Sequence, residues 1–416
     1  MRRFLTLLIS ISFIYSGSVF ANGLSLNSVG TKAFGMGGAF VGLADDATAI
    51  YWNPAGLAGQ SNQFLAYYTG IMPIATYKYD LATVDAEMTS NLYSTGGLFA
   101  VYGMDKMTFG LGVYVPAGLG AEWDGADLVP FSAALSGATE YKWLSEIGAV
   151  TIAPSIAYQV SDDFAIGLSI NIYYAMFDLS RFQAFDLNAD GAPETPTQYT
   201  EESTGLGYGV TLGLKYNVND KLSLGASFRT ETKVAMEGTA DLPGLPAGIN
   251  ESDFDRDVSF PMWISGGIAY KVNEKITVVA DAQYSNWAAL DELVAEYDAL
   301  PQDGVFNLEW DDAIQYRIGT EFMATKETAL RLGYYYDPAP SPDETLNFLF
   351  PSSENNVVTF GVGHDFGNFR VDAAGEYLLG AERDVDAHPN ALMPENAPGK
   401  HQMDIFAFSI AFGMEL

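Results

Sequence analysis

His364, His388 and His401 are the only imidazoles in a 416-residue chain that has no cysteine. A metal centre needs several nitrogen or sulfur ligands at close spacing, and a nucleophilic lipid hydrolase needs a serine with a histidine beside it. These three are too scattered for either. Gly35-Met36-Gly37-Gly38 is no phosphate loop, because no Gly-Lys-Ser/Thr follows it. Asp186, Asn188, Asp190 and Gly191 match the first half of a calcium loop, but the twelfth position is Thr197, not a bidentate acid, so an acidic turn is expected. No enzyme, metal or cofactor is expected. The residues with a specific task are conformational. Asp45 and Asp46 offer carboxylates to the free N–H groups of a first helical turn. Asn53-Pro54 ends a helix, since proline lacks an N–H and restricts the residue before it. The spacing predicts a short capped helix that closes on an Asn53-Pro54-Ala55 turn.

The surroundings of that turn follow from composition. Met1 to Ala21 carries Arg2 and Arg3, an apolar run over 4–14 and Val19-Phe20-Ala21, the pattern of a cleaved export signal. Beyond it no stretch reaches eighteen consecutive apolar residues, so no helix is expected to span a membrane. A net charge of −32 argues against nucleic acid and against docking on an anionic surface. Yet 48% of the residues are hydrophobic and 13% aromatic. Apolar surface facing lipid, with acidic loops facing water, reconciles the two.

From about residue 62 the hydrophobic pattern alternates. In the last segment Phe406, Phe408, Ile410, Phe412, Met414 and Leu416 share one face, and Ala407, Ser409, Ala411, Gly413 and Glu415 the other. Short polar turns, such as Asp105-Lys106 and Val272-Asn273-Glu274, alternate with long connections near 74–95, 116–146, 179–200, 235–257, 288–311, 338–354 and 381–401. Turns at one end and long loops at the other mark an outer-membrane β-barrel with its turns in the periplasm. About fourteen strands are expected, from 62–73 to 403–416. A barrel this wide is not filled by its own side chains. The division predicted is a signal over 1–21, an N-terminal hatch over 22–61 that plugs the lumen, and a transmembrane barrel over 62–416: an all-β membrane protein. The lumen-side charges (Arg229, Asp281, Arg317, Glu321, Arg331, Arg370, Asp372 and Glu376) are expected to pair across a wet interior, with an Arg among them free to meet a carboxylate headgroup.

Several stretches recur in a telling order over nearly the whole chain: Gly35-Met36-Gly37-Gly38-Ala39, Asp45-Asp46-Ala47, Asn53-Pro54-Ala55-Gly56-Leu57 and Val113-Tyr114-Val115-Pro116-Ala117-Gly118-Leu119. Pro154-Ser155-Ile156-Ala157-Tyr158, Trp310 with Tyr316-Arg317-Ile318-Gly319, and Leu330-Arg331-Leu332-Gly333-Tyr334 before Asp337 and Pro338 follow. In these the chain resembles the FadL-type outer-membrane long-chain fatty-acid transporter family, whose other branches are aromatic-hydrocarbon channels. The resemblance implies a fourteen-stranded barrel with a hatch and passive uptake of hydrophobic molecules. Ligand would be caught by outer loops, passed to a pocket beside the hatch and released by hatch movement, sideways through a wall defect.

On that basis Asn53, Pro54 and Ala55 are the gating candidates. Ligand contacts are expected from Leu24, Phe34, Met36 and Phe40 of the hatch, and from Leu290, Leu293, Val294 and Tyr297, spaced as one helical face in an external loop. Phe131, Leu135, Tyr141, Trp143 and Leu144, and Phe348-Leu349-Phe350, populate two other loops, as a landing site or as a lid. Pro154 is the candidate wall defect, because proline removes a ladder bond; Gly110 and Gly112 thin the neighbouring strand. The expected partners are outer-membrane lipid, lipopolysaccharide and a hydrophobic small molecule, with no nucleic acid, and the barrel can be a monomer. The alternatives are an aromatic-hydrocarbon channel and, against the presence of a plug, a general diffusion porin or a surface-exposed structural barrel.

Overall fold

The computed structural model describes residues 23–27, 29–80, 83–186, 195–300, 302–387 and 396–416. The export signal, His388 and positions 188, 190 and 191 of the calcium-like loop lie outside the described residues.

Fourteen antiparallel strands form one closed sheet. They are β1 (Gln63–Tyr79), β2 (Tyr93–Met104), β3 (Met107–Trp123), β4 (Trp143–Gln159), β5 (Phe164–Phe185), β6 (Thr195–Asn219) and β7 (Leu222–Arg229, then Thr232–Asp241). After them come β8 (Glu251–Phe260, then Trp263–Asn273), β9 (Ile276–Ser285), β10 (Ala313–Met323), β11 (Thr328–Asp337), β12 (Asn355–Asp365), β13 (Phe369–Gly380) and β14 (Gly399–Glu415). Each strand pairs with the next, and β14 returns to β1 from Gln63↔Glu415 to Lys78↔Lys400, so the sheet closes on itself.

The alternation reads directly onto this wall. Phe406, Phe408, Ile410 and Phe412 of β14 point outward and are exposed, while Ala407, Ser409 and Ala411 are buried inside. Leu212, Ile268, Ile318, Leu332 and Phe360 extend the same outward apolar band around the barrel. In water such a band would drive association; in hydrocarbon it is at home. At the short-turn end the loops close by side-chain capture of backbone. Asn219 Oδ1 accepts from Lys221 and Leu222 N–H at 2.9 and 3.0 Å, and Asn273 Oδ1 from Lys275 and Ile276 N–H at 2.8 and 3.0 Å.

At the other end the strands overrun their expected limits. β3 continues to Trp123, and β7 and β8 stay paired from Glu251↔Asp241 to Phe260↔Thr232, where a loop over 235–257 was expected. Past the lipid the outward positions turn acidic (Glu237, Asp241, Glu251, Asp253, Asp255), so the hydrophobic contrast fades while the ladder goes on. The loop near 288–300 is no helix either. A short 3-10 turn (Trp287–Ala289) leads into a hairpin of Glu292–Tyr297 with Gly304–Asn307, which buries Leu293 and Ala295 at a period of two.

The segment before β1 lies inside the barrel. It holds two one-turn helices, α1 (Thr31–Phe34) and α2 (Ala49–Trp52), and a 3-10 turn at Pro54–Leu57, with nearly every residue from Val29 to Leu57 buried. The expected Asp45/Asp46 cap takes another form. Thr48 is the N-cap, Asp46 Oδ1 accepts from the Thr48 N–H at 2.8 Å to close the preceding turn, and Asp45 turns aside to Lys32.

Candidate functional site

Asn53 ends α2 in extended backbone and caps the 3-10 turn that follows, its Oδ1 accepting from the Ala55 N–H at 3.2 Å. Its Nδ2 donates to Val41 O at 2.9 Å and to Leu214 O, in wall strand β6, at 3.0 Å. One buried amide thus ties the turn, the chain before it and the wall. The turn seats so closely because the wall there is glycine. A Cβ at Gly167 would stand 2.2 Å from the Pro54 carbonyl carbon, and one at Gly213 2.2 Å from Asn53 Oδ1.

Other tethers follow along the inner segment. The Val41 N–H donates to Asp281 at 2.7 Å, Ser169 to Ile50 O at 3.0 Å, Arg229 to Tyr51 O at 2.8 Å and Arg317 to Gly37 O at 3.2 Å. Thr31 and Ser409 share a hydroxyl hydrogen bond of 2.7 Å. Ladder-type pairing with the wall, by contrast, is confined among the described residues to Leu24–Leu26 on β3. The segment is held by side chains one at a time, not by a sheet. Ala44 takes a left-handed backbone (φ 36°) that costs a residue with a Cβ about 1–2 kcal/mol. The ammonium of wall residue Lys215 holds the adjoining Leu43 carbonyl.

Toward the short-turn end the lumen is charged. Arg331 bonds Glu321 at 2.8 Å and Asp372 at 2.7 Å, Arg370 bonds Asp372 at 2.8 Å, and Lys32 bonds Asp45 at 2.8 Å beside an opening of about 280 Å³. Burial opposes both charges of the last pair, and their mutual attraction outweighs it. The Asp45 carboxyl is held below its usual range and the Lys32 ammonium above its own. Of the charges expected to pair across a wet interior, Glu321, Arg331, Arg370 and Asp372 do so at this end. Higher up, neither Arg229 nor Arg317 forms an ion pair among the described residues.

Toward the long-loop end the lumen is filled and mostly apolar, with one buried ion pair, Arg256 with Glu201. Phe348, Leu349 and Phe350 of the 338–354 connection fold inward and are buried. The Phe348 ring lies 5.2 Å from those of Tyr77 and Trp143, 5.6 Å from Phe131 and 5.7 Å from Trp123. Leu24 and Phe34 join this cluster from below, and Leu290 and Leu293 from the loops. Tyr297 reaches the Tyr199 hydroxyl at 2.6 Å. Met36 and Phe40 fall elsewhere, Met36 against Ala39, Ala269 and Val279 and Phe40 in the packing around α2. Where the cluster meets the inner segment, Leu26, Phe34, Ile71 and Tyr335 line a space of about 20 Å³ beside Asn27 and Glu376, room for little more than a water.

The wall is irregular beside Leu24–Leu26. Register between β3 and β4 shifts by one between Tyr114↔Thr151 and Ala117↔Ala149, a bulge at Val115-Pro116. On the other side β2 pairs with β3 only as far as Gly97↔Tyr114, leaving Tyr93–Gly96 without a β3 partner. There Leu26 N–H donates to Pro116 O at 2.9 Å and Gly118 N–H to Leu24 O at 3.0 Å, so the inner segment covers the parting. Pro154 faces outward, where the β4–β5 pairing skips from Ile152↔Ile172 to Ser155↔Ser169. Sequence reasoning passed over the β3 bulge, although Pro116 with Gly118 in a strand was its signal.

A family model described as outer membrane protein transport protein (OMPP1/FadL/TodX) matches residues 12–414. Outer membrane protein P1 of Haemophilus influenzae is 20% identical over 90% of this chain and 90% of its own length. A long-chain fatty acid transport protein of Escherichia coli is 22% identical over 58% of this chain and 61% of its own. The crystal structure of a Pseudomonas aeruginosa FadL homologue has a TM-score of 0.77 at 16% identity, over 94% of this chain and 99% of the other, a likeness of fold.

Proposed function

The chain belongs to the outer membrane protein transport family (OMPP1/FadL/TodX), and from that premise we propose that it is a passive uptake channel for hydrophobic molecules, with long-chain fatty acids as its substrate class. One observation carries this: the outer half of the lumen is packed with apolar side chains and the inner half is closed by residues 29–58. A water-filled porin has the reverse, a polar lumen without a plug. An apolar ligand can exchange with Phe348, Leu349 and their neighbours at little cost in desolvation. Each methylene it buries contributes about 0.8 kcal/mol.

A ligand held by that much apolar contact leaves slowly unless its surroundings change shape, which gives the inner segment its role. Asn53, Pro54 and Ala55 form the gating turn, and the outer loops, with Leu290 and Leu293, receive the ligand. Leu24 and Phe34 contact it at the floor. The parting of β2 from β3, covered by Leu24–Leu26, supports sideways release there. Aromatic hydrocarbons are the second reading, favoured by the rings of Tyr77, Trp123, Phe131, Trp143 and Phe348.

Saturable uptake of labelled palmitic acid and of toluene, in cells lacking their own transporter, tests this. Palmitic acid is expected to enter with the intact protein and not with Asn53→Ala plus Pro54→Ala. Toluene alone would replace the substrate class, and entry of neither above empty cells would overturn the assignment.

A further inference from the structure

Arg229 is a buried cation without an anion. Only 6% of it is exposed, and no carboxylate among the described residues pairs with it. Its neighbours are neutral. Nη2 donates to Tyr51 O at 2.8 Å and Nε to Thr211 Oγ1 at 3.3 Å. The rings of Tyr51 and Trp263 each lie 4.4 Å from the guanidinium carbon. The Tyr51 and Tyr173 side chains hydrogen-bond the same group, and Tyr114 stands beside it. Arg317, the other buried Arg free of ion pairs, differs, because Asp281, Asp337 and Glu376 surround it. Burying a guanidinium with no counter-charge is expensive, and its surroundings do not neutralise it.

The place of this cation matters as much as its charge. It stands where the apolar lumen meets the inner segment, since Tyr173 belongs to the outer apolar cluster and Tyr51 to the packing of α2. A space of about 10 Å³ lies beside it, lined by Val41, Trp52, Ser227, Ser265 and Gln283. Two more groups there are left incomplete: the Trp263 indole N–H, buried and without an acceptor, and Asn171, whose amide N bonds Thr211 while its oxygen has no donor. A guanidinium without an anion and an indole N–H without an acceptor line the same small space.

We propose that Arg229 is the anchor for the carboxylate of an anionic amphiphile, so that the channel selects a long-chain acid over an uncharged hydrocarbon of the same length. This rests on the uptake function proposed above and adds the residue that reads the headgroup. A planar fork of N–H donors suits a carboxylate. The space is too small for that headgroup while Tyr51 O holds Nη2, so the carboxylate must take the place of the Tyr51 carbonyl. Tyr51 lies two residues before Asn53 in α2, and displacing it carries the gating turn with it. Recognition of the headgroup and release of the turn become one event.

The test is equilibrium binding of radiolabelled palmitic acid and radiolabelled methyl palmitate to the full-length protein in detergent, for wild type, Arg229→Met and Arg229→Lys. Arg229→Met is expected to weaken acid binding about 10- to 100-fold, the range of a hydrogen bond to a charged group, and to leave the ester unchanged, with Arg229→Lys between. A merely positioning Arg229 would shift acid and ester alike, and that result, or no shift in either, overturns the proposal while leaving the uptake function standing. Wild-type protein that binds neither overturns both. If Arg229→Met does not assemble, wild type decides: the acid must lose affinity relative to the ester when its carboxyl is protonated, and a ratio independent of pH overturns the anchor.

Discussion

At the scale of single residues the inner segment is a set of replaceable tethers, and one of them reports on pH. The folded Asp45 carboxyl titrates below its ordinary 3.8 and the Lys32 ammonium above its ordinary 10.5. A lowered carboxyl stabilises the fold above its unfolded value and loses that contribution as pH falls through the lowered one. A raised ammonium stabilises below its unfolded value and loses that as pH rises through the raised one. The tether is therefore intact between about 3.8 and 10.5. Acidification below that window is expected to speed hydrogen exchange of the 29–46 amides in wild type, and Asp45→Asn to show the faster rate already at neutral pH. Equal rates in the two proteins at neutral pH would remove the tether from the account. Asn53 shows what single residues hide from sequence. Its place in a turn was legible from Asn-Pro, but its bond to Leu214 O was not, because that depends on which strand passes 161 positions later.

At the scale of elements, glycines on wall strands β5 and β6 and the inner segment are made for each other. Gly167 and Gly213 lie opposite one another in the β5–β6 ladder, and both are filled from inside by the Asn53–Ala55 turn. Gly213→Ala places a methyl where Asn53 Oδ1 and the Ala55 N–H now sit, and is expected to cost about 1–3 kcal/mol, as overpacking does. Gly266→Ala, with nothing within 4 Å, is the matched control on a neighbouring part of the sheet and is expected to be near neutral. Heat-modifiable gel mobility or thermal unfolding of the two variants measures the difference, and equal behaviour would contradict the seating of the turn. The strands themselves were legible because lipid and lumen impose different chemistry on alternate residues. The loop hairpin at 292–307 was not, since Leu290, Leu293, Val294 and Tyr297 satisfy a helical spacing as well as a strand in which only Leu293 and Ala295 turn inward.

At the scale of the whole molecule, the barrel divides into an apolar outer half, a ring of seated turns and a charged inner mouth. Closure by β1 and β14, the outward apolar band and the loop asymmetry could all be anticipated from alternation and turn spacing. Which side chains meet inside the lumen could not. Phe348 and Arg229 gain their meaning from residues far away in the chain, and only the register of fourteen strands brings Tyr77, Trp123 and Trp143 around one, and Tyr51 and Trp263 around the other. The proposed function has the inner segment move during uptake, and the chain offers a clean way to prevent it. Thr31 on the inner segment and Ser409 on β14 have hydroxyl oxygens 2.7 Å apart, and the protein has no cysteine of its own. The most direct measurement is palmitic acid uptake by cells producing the Thr31→Cys, Ser409→Cys protein, oxidised and then reduced. Uptake near wild type when reduced, abolished when the disulfide joins segment to wall and restored by reductant, is the result predicted. Uptake undiminished in the oxidised protein would contradict a channel gated by its inner segment.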